Sequence, residues 1–191
     1  REIIKDYAEQ YYQHVKAFPR YISATHSICE DIEKRRILLE NLQDEENKDG
    51  DHPKLWKNFA KALGADEKEI ENVKLDWFTK DMIDNFFAQA RKSYAEGLAS
   101  LYTYERQIPE IAETKIQGLK KFYGVQSKEG LEFFEAHKSA DVIHRAECEK
   151  LLDSLSKEEQ EKAESASLLT ARYLWNFLSG MTSKHKLKAA A

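Results

Sequence analysis

The sequence predicts an all-α fold, a helical bundle of about seven helices in a single domain over residues 1–183. Two observations carry that expectation. Only 7 Gly and 3 Pro punctuate 191 residues, so few positions favour a turn over a helix. Apolar residues also recur at i, i+3, i+4 and i+7 in segment after segment, the period of helices with one inward face. With 41% hydrophobic and 34% charged residues, such helices can enclose a sizeable core beneath a solvated surface.

The first helix runs from near Glu2 to Ala17 and stops at Phe18-Pro19, because proline disfavours helix at the residue before it. The second spans Arg20 to Glu46, with Ile28, Ile32, Leu39 and Leu42 as its inner row, until Asn47-Lys48-Asp49-Gly50-Asp51 breaks it. A short third helix runs from His52-Pro53, with proline in the first turn, to Leu63. Asp66 caps one further turn, and a linker follows. The fourth helix extends from an N-cap at Thr79 to Gln107, and the fifth from Pro109 to Tyr123-Gly124. Ser127 caps the sixth, which continues to Leu155; Ser156 and Glu159 form a capping box for the seventh, which reaches Leu178. Residues 184–191 read as a disordered or partly vector-derived tail.

Charge and composition exclude several roles. A net charge of -4 without a concentrated basic face argues against nucleic acid as the main partner. No apolar run approaches the roughly 20 residues of a membrane span. Cys29 and Cys148 are too few for a disulfide scaffold, so a reducing cytoplasm is the expected setting. The chain starts at Arg1 rather than Met, so further residues are expected upstream, and the sequence leaves the presence of a signal peptide open.

The chemistry is concentrated in the sixth helix. His137, Asp141 and His144 fall at offsets of 0, 4 and 7, within an arc of roughly 60° on one face. Phe133, Phe134, Ala140, Cys148, Leu151 and Leu155 share that stripe, so two imidazoles and a carboxylate face inward together. Burying them unpaired costs several kcal/mol, about 2–7 for each polar group, which a cation offsets. A hydrogen-bonded triad or a solvated edge is the competing reading of the motif alone.

Other carboxylates interrupt apolar faces. Glu105 completes the row Leu98, Leu101, Tyr102 at the end of the fourth helix. At the end of the second, Glu45 lies on the Leu38/Leu42 face and Glu46 on the Leu39/Leu42 face, and periodicity does not choose between them. His52 follows Glu45 by seven residues, beyond the Gly50 break, where a turning chain can bring it back. Three carboxylates with three imidazoles suit two iron or manganese ions and suit structural zinc poorly, since zinc favours a closed shell containing cysteine. The Glu-x-x-His pairs of ferritin-like proteins are absent.

Four strings carry a family resemblance: Tyr11-Tyr12-Gln13-His14-Val15-Lys16-Ala17-Phe18-Pro19-Arg20-Tyr21, Asn41-Leu42-Gln43-Asp44-Glu45-Glu46-Asn47, Leu101-Tyr102-Thr103-Tyr104-Glu105-Arg106-Gln107-Ile108-Pro109, and His137 to His144. From about Lys5 to Phe177 the chain resembles the CADD-like proteins (chlamydial proteins associating with death domains), a di-iron branch of the haem-oxygenase-like helical family that includes PqqC and TenA proteins. The resemblance implies metal ligands at Glu45, His52, Glu105, His137, Asp141 and His144. It thereby selects Glu45 over Glu46. It also implies two iron ions, or a manganese–iron pair, acting with molecular oxygen and an external reductant. The implied activity is synthesis of para-aminobenzoate for folate from the protein's own tyrosine ring and the amine of Lys115, the ring donor falling before Arg1. Without the resemblance, Lys115 reads as a solvated helical lysine.

Tyr7, Tyr102 and Tyr104 read as core residues with hydrogen-bonded hydroxyls, or as radical relays near the metals. Two other functions compete. One is a metal-free PqqC- or TenA-like cofactor enzyme, for which Cys29 or Cys148 would be the thiol nucleophile. The other is binding to death-domain proteins of a host, with secretion into that host. A homodimer is the expected assembly.

Overall fold

The computed structural model describes residues 1–48 and 50–187, the side chains of residues 139–143 excepted. Among the described residues there are nine α-helices, one π-helical turn and no strand. The helices are α1 Glu2–Ile28, α2 Ile32–Glu45, α3 His52–Ala62, α4 Glu67–Asn72, α5 Trp77–Lys92, α6 Tyr94–Glu105, α7 Ile108–Gly118, α8 Lys128–Asp153 and α9 Lys157–Lys184. The π turn, Leu119–Tyr123, extends α7 and closes on Gly124, whose φ of 69° is a left-handed conformation that glycine adopts without strain.

Local chemistry sets most helix starts. Asp31, Asp51, Asp66, Ser93, Ser127 and Ser156 each accept a backbone N–H of the first turn of the helix they precede, satisfying donors that have no partner within the helix. Asp66 with Glu69, and Ser156 with Glu159, complete reciprocal capping boxes.

Several boundaries differ from the sequence expectation. α1 does not stop at Phe18 but runs through Pro19 to Ile28. An interior proline costs about 3 kcal/mol. Here Phe18, Pro19, Tyr21 and Ile22 are all buried, and their packing against the core offsets that cost. The break falls instead at Cys29, extended at φ -83° and ψ 123°, so the second helix begins at Ile32 rather than Arg20. Its inner row is accordingly Leu38, Asn41 and Glu45, while Ile32 and Leu39 are exposed. The expected fourth helix is two helices. Ser93, extended at φ -156° and ψ 164°, separates α5 from α6, and Thr79 is a buried residue inside α5 rather than its cap. Its hydroxyl donates to Gln10 Oε1 at 2.7 Å.

At the other end α9 continues past Leu178 to Lys184. Lys184 and His185, assigned from sequence to a loose tail, are tied to α1 and to the start of α5: Lys184 Nζ reaches Asp76 at 2.7 Å and His185 Nε2 lies 2.7 Å from Asp6. Residues 188–191 lie outside the described residues.

α1 is central, packing on α2, α3, α5 and α6. α8 lies against α3, α6 and α7, and α9 covers α5 and α6. Close approach of α9 to α5 depends on Gly180, where a Cβ would overlap the Phe78 ring. Among the described residues, no helix is long and apolar enough to cross a membrane.

Candidate metal centre

The end of α2, the start of α3 and the middle of α8 converge on three buried donors. Asp51 caps α3 through Lys54 N–H at 2.7 Å, and this turn after α2 sends His52 back towards Glu45. His52 Nδ1 and Glu45 Oε2 lie 2.8 Å apart. The His52 and His137 rings are 4.2 Å apart between centroids. One ligand atom from each of Glu45, His52 and His137 falls within 4.8 Å of the others, and all three residues are at least 95% buried. Glu46 is exposed, so the phase of α2 turns Glu45 inward.

His137 is held ready for coordination. Its Nδ1 lies 2.7 Å from Phe133 O; a carbonyl only accepts, so Nδ1 carries the proton and Nε2 is the free lone pair of the neutral ring. Burial, followed by the neighbouring His52, holds its pKa well below the ordinary imidazole value. The neutral imidazole is the form that binds a metal.

Glu105 and His144 lie beside this cluster. Glu105 is 1% exposed; its Oε1 accepts from Asn41 Nδ2 at 2.7 Å and its Oε2 from Cys148 Sγ at 3.6 Å. Asn41 stands one turn before Glu45 on the same buried row of α2, and so ties Glu105 to the helix that carries Glu45. His144 is buried, with Nε2 3.0 Å from Asp44 Oδ2. The Asp141 side chain lies outside the described residues. Asn41 and Asp44 are contributors that sequence reasoning missed. Asn41 had a signal, a polar residue one turn from Glu45 on a row that packs inward.

Cys148 and Cys29 are both buried and in the thiol form. Cys148 is engaged with a carboxylate, and burial raises the pKa of Cys29, so neither has the environment of a nucleophilic thiolate.

Lys115 is half-buried rather than fully solvated. Its Nζ donates to Tyr7 Oη at 2.6 Å and lies 5.0 Å from the Tyr7 ring centroid, 5.5 Å from Tyr11, 5.6 Å from Phe134 and 5.9 Å from Trp56. Four aromatic faces on α1, α3 and α8 stabilise the ammonium by cation–π attraction. A gap of only about 10 Å³, lined by Lys115, Trp56, Phe133 and His137, separates this cage from the donor cluster. Such a space holds at most one water molecule. Aromatic contacts bridge it, with His137 to Phe133 at 4.0 Å, Phe133 to Trp56 at 4.7 Å and Trp56 to Tyr11 at 5.0 Å.

Buried Glu, His and His with oxygen and nitrogen donors suit iron in both common oxidation states. The donor set and its geometry therefore fit the metal that the known relatives suggest. Residues 5–175 match the family described as iron-containing redox enzyme. The chain is 41% identical over 179 residues to a 4-aminobenzoate synthase of Chlamydia trachomatis, covering 93% of this chain and 78% of that protein. In fold it is similar to a TenA homologue from Pseudomonas syringae, with a TM-score of 0.82 at 17% identity, over 95% of this chain and 79% of the other. A CADD-like protein from Nostoc punctiforme superposes with a TM-score of 0.80 at 16% identity, over 96% and 82% of the two chains. The all-helical architecture, the buried Glu/His/His cluster and a match across most of the sequence lead to one assignment: this chain belongs to the haem-oxygenase-like family of iron-containing redox enzymes.

Proposed function

We propose that this protein makes 4-aminobenzoate from its own side chains at a two-iron centre held by Glu45, His52, Glu105, His137, Asp141 and His144, with the Lys115 amine as nitrogen source and the ring supplied by a tyrosine outside residues 1–191. The observation that carries the reading is the placement of Lys115. A lysine held among four aromatic rings, one narrow gap from the donor cluster, supports a chemical role over one in solubility. Names borne by relatives supply the product.

Iron bound by these residues would supply oxygen activation, with molecular oxygen and an external reductant, which is the oxidising power that protein acids and bases lack. The chain's own groups do the remainder. Phe133 O holds the His137 proton on Nδ1 and so aims Nε2 at the site. Asn41 orients Glu105. Tyr7 accepts a hydrogen bond from Lys115 and fixes the direction of the amine. Trp56, fully buried and anchored by its Nε1–H to Ala8 O at 2.7 Å, keeps water out between cage and cluster.

The experiment is a single-turnover assay on full-length protein, the residues before Arg1 included, labelled with 15N-lysine, loaded anaerobically with ferrous iron and then given oxygen and reductant. The expected product is 15N-labelled 4-aminobenzoate, at no more than about one equivalent per chain, with a matching mass loss on one tyrosine. Lys115→Ala should keep its iron and lose the product. Unlabelled product, or sustained turnover of an added small molecule, overturns self-consumption.

A further inference from the structure

Beside the Lys115 cage, between the first turn of α1, α3, the end of α7, the π turn, α8 and α9, lies a cavity of about 300 Å³. Ile4, Phe59, Leu119, Phe134 and Leu178 give it apolar walls. Among the described residues Lys115 is the one charged group lining it, with the Tyr7 hydroxyl alongside. Among the described residues no carboxylate pairs with Lys115. A cation at the end of an apolar slot, with one of its three protons given to Tyr7, calls for an anionic oxygen on an apolar body. The volume admits a single aromatic ring with its substituents and leaves room beside it.

We propose that this cavity binds a small aromatic monocarboxylate, its carboxylate on Lys115 and its ring against Phe59 and Phe134. With the function proposed above, on which this part rests, the physiological ligand is 4-aminobenzoate released by other chains. A bound product molecule covers the amine that the reaction consumes. Chains that have not yet reacted are then spared while product is plentiful, a direct brake on a protein that is used up by its own activity.

Gly118 supplies a test that leaves the cage intact. It lines the cavity, has helical backbone angles, and a Cβ built on it meets nothing within 4 Å. The Cβ of Gly118→Leu therefore finds open space, and the rest of the side chain should occupy the slot. The probe is 4-fluorobenzoate, followed by 19F NMR on unreacted protein, with neutral 4-fluorobenzamide as comparison. Wild type should bind the acid at least tenfold more tightly than the amide. Gly118→Leu should lose binding of both at least tenfold while keeping its circular dichroism and iron content. Lys115→Met, which preserves length and apolar stem, should bind acid and amide equally. Pre-incubation with 4-aminobenzoate should slow the single-turnover reaction of wild type. Absence of acid binding, or binding unchanged by Gly118→Leu, overturns the site even if the chain makes 4-aminobenzoate. Acid binding that responds to both variants in a chain that makes no aminobenzoate upholds the site and overturns the functional reading alone.

Discussion

His14 should make the fold sensitive to mild acid, and replacing it should remove that sensitivity. The residue is fully buried on α1, with ring centroids of Phe86 at 4.8 Å, Tyr104 at 5.0 Å and Tyr11 at 5.2 Å. Among the described residues neither ring nitrogen has a hydrogen-bond partner. Burial disfavours the imidazolium and pushes the pKa from the ordinary 6.5 down to about 3. The unfolded chain takes up a proton at His14 as pH falls through 6.5, and the folded chain does so only near 3. Stability from the neutral buried ring is thus full above pH 6.5 and is lost progressively as pH falls towards 3. The whole gap corresponds to about 5 kcal/mol, of which about 2 kcal/mol is lost between pH 8 and pH 5. His14→Leu removes the titrating group while leaving an apolar side chain of similar bulk. Urea unfolding of both proteins, iron-free, at pH 8, 7, 6 and 5 reads the difference. The variant should gain about 2 kcal/mol relative to wild type between the two ends of that series, whatever its offset at pH 8. Contributions from His137 and the other titrating groups are common to both proteins and cancel. Parallel stability curves would refute the reasoning, because they would mean that His14 keeps its proton affinity on folding.

Iron content separates the buried cluster from the exposed carboxylate beside it. His137→Ala should lower bound iron at least tenfold, Asn41→Ala should weaken affinity by roughly 10–100-fold through loss of its hydrogen bond to Glu105, and Glu46→Ala should leave it unchanged. Gly180→Ala should destabilise the fold by about 1–3 kcal/mol in thermal or urea unfolding, since the new methyl group pushes on the Phe78 ring across the α5–α9 contact.

Local chemistry was legible in the sequence. The capping serines and aspartates act within four residues, and Ser127, Ser156 with Glu159, and Asp66 start helices where their spacing indicates. The inward stripe of α8 follows from helical period alone, and Phe133, His137, His144 and Cys148 are buried as that period requires. The lengths of α1, α2 and α5 were not legible. Whether Pro19 ends a helix depends on whether Phe18, Tyr21 and Ile22 find a core to bury against, and the breaks at Cys29 and Ser93 contain neither glycine nor proline to announce them. The misplaced start of α2 left its phase undetermined, and hence the choice between Glu45 and Glu46 from periodicity. Lys115 shows the limit most clearly. Its own helix marks it as ordinary, whereas its surroundings come from Tyr7 and Tyr11 on α1, Trp56 on α3 and Phe134 on α8. A side chain's period along one helix determines which way it faces; only the packing of the other helices determines what it faces.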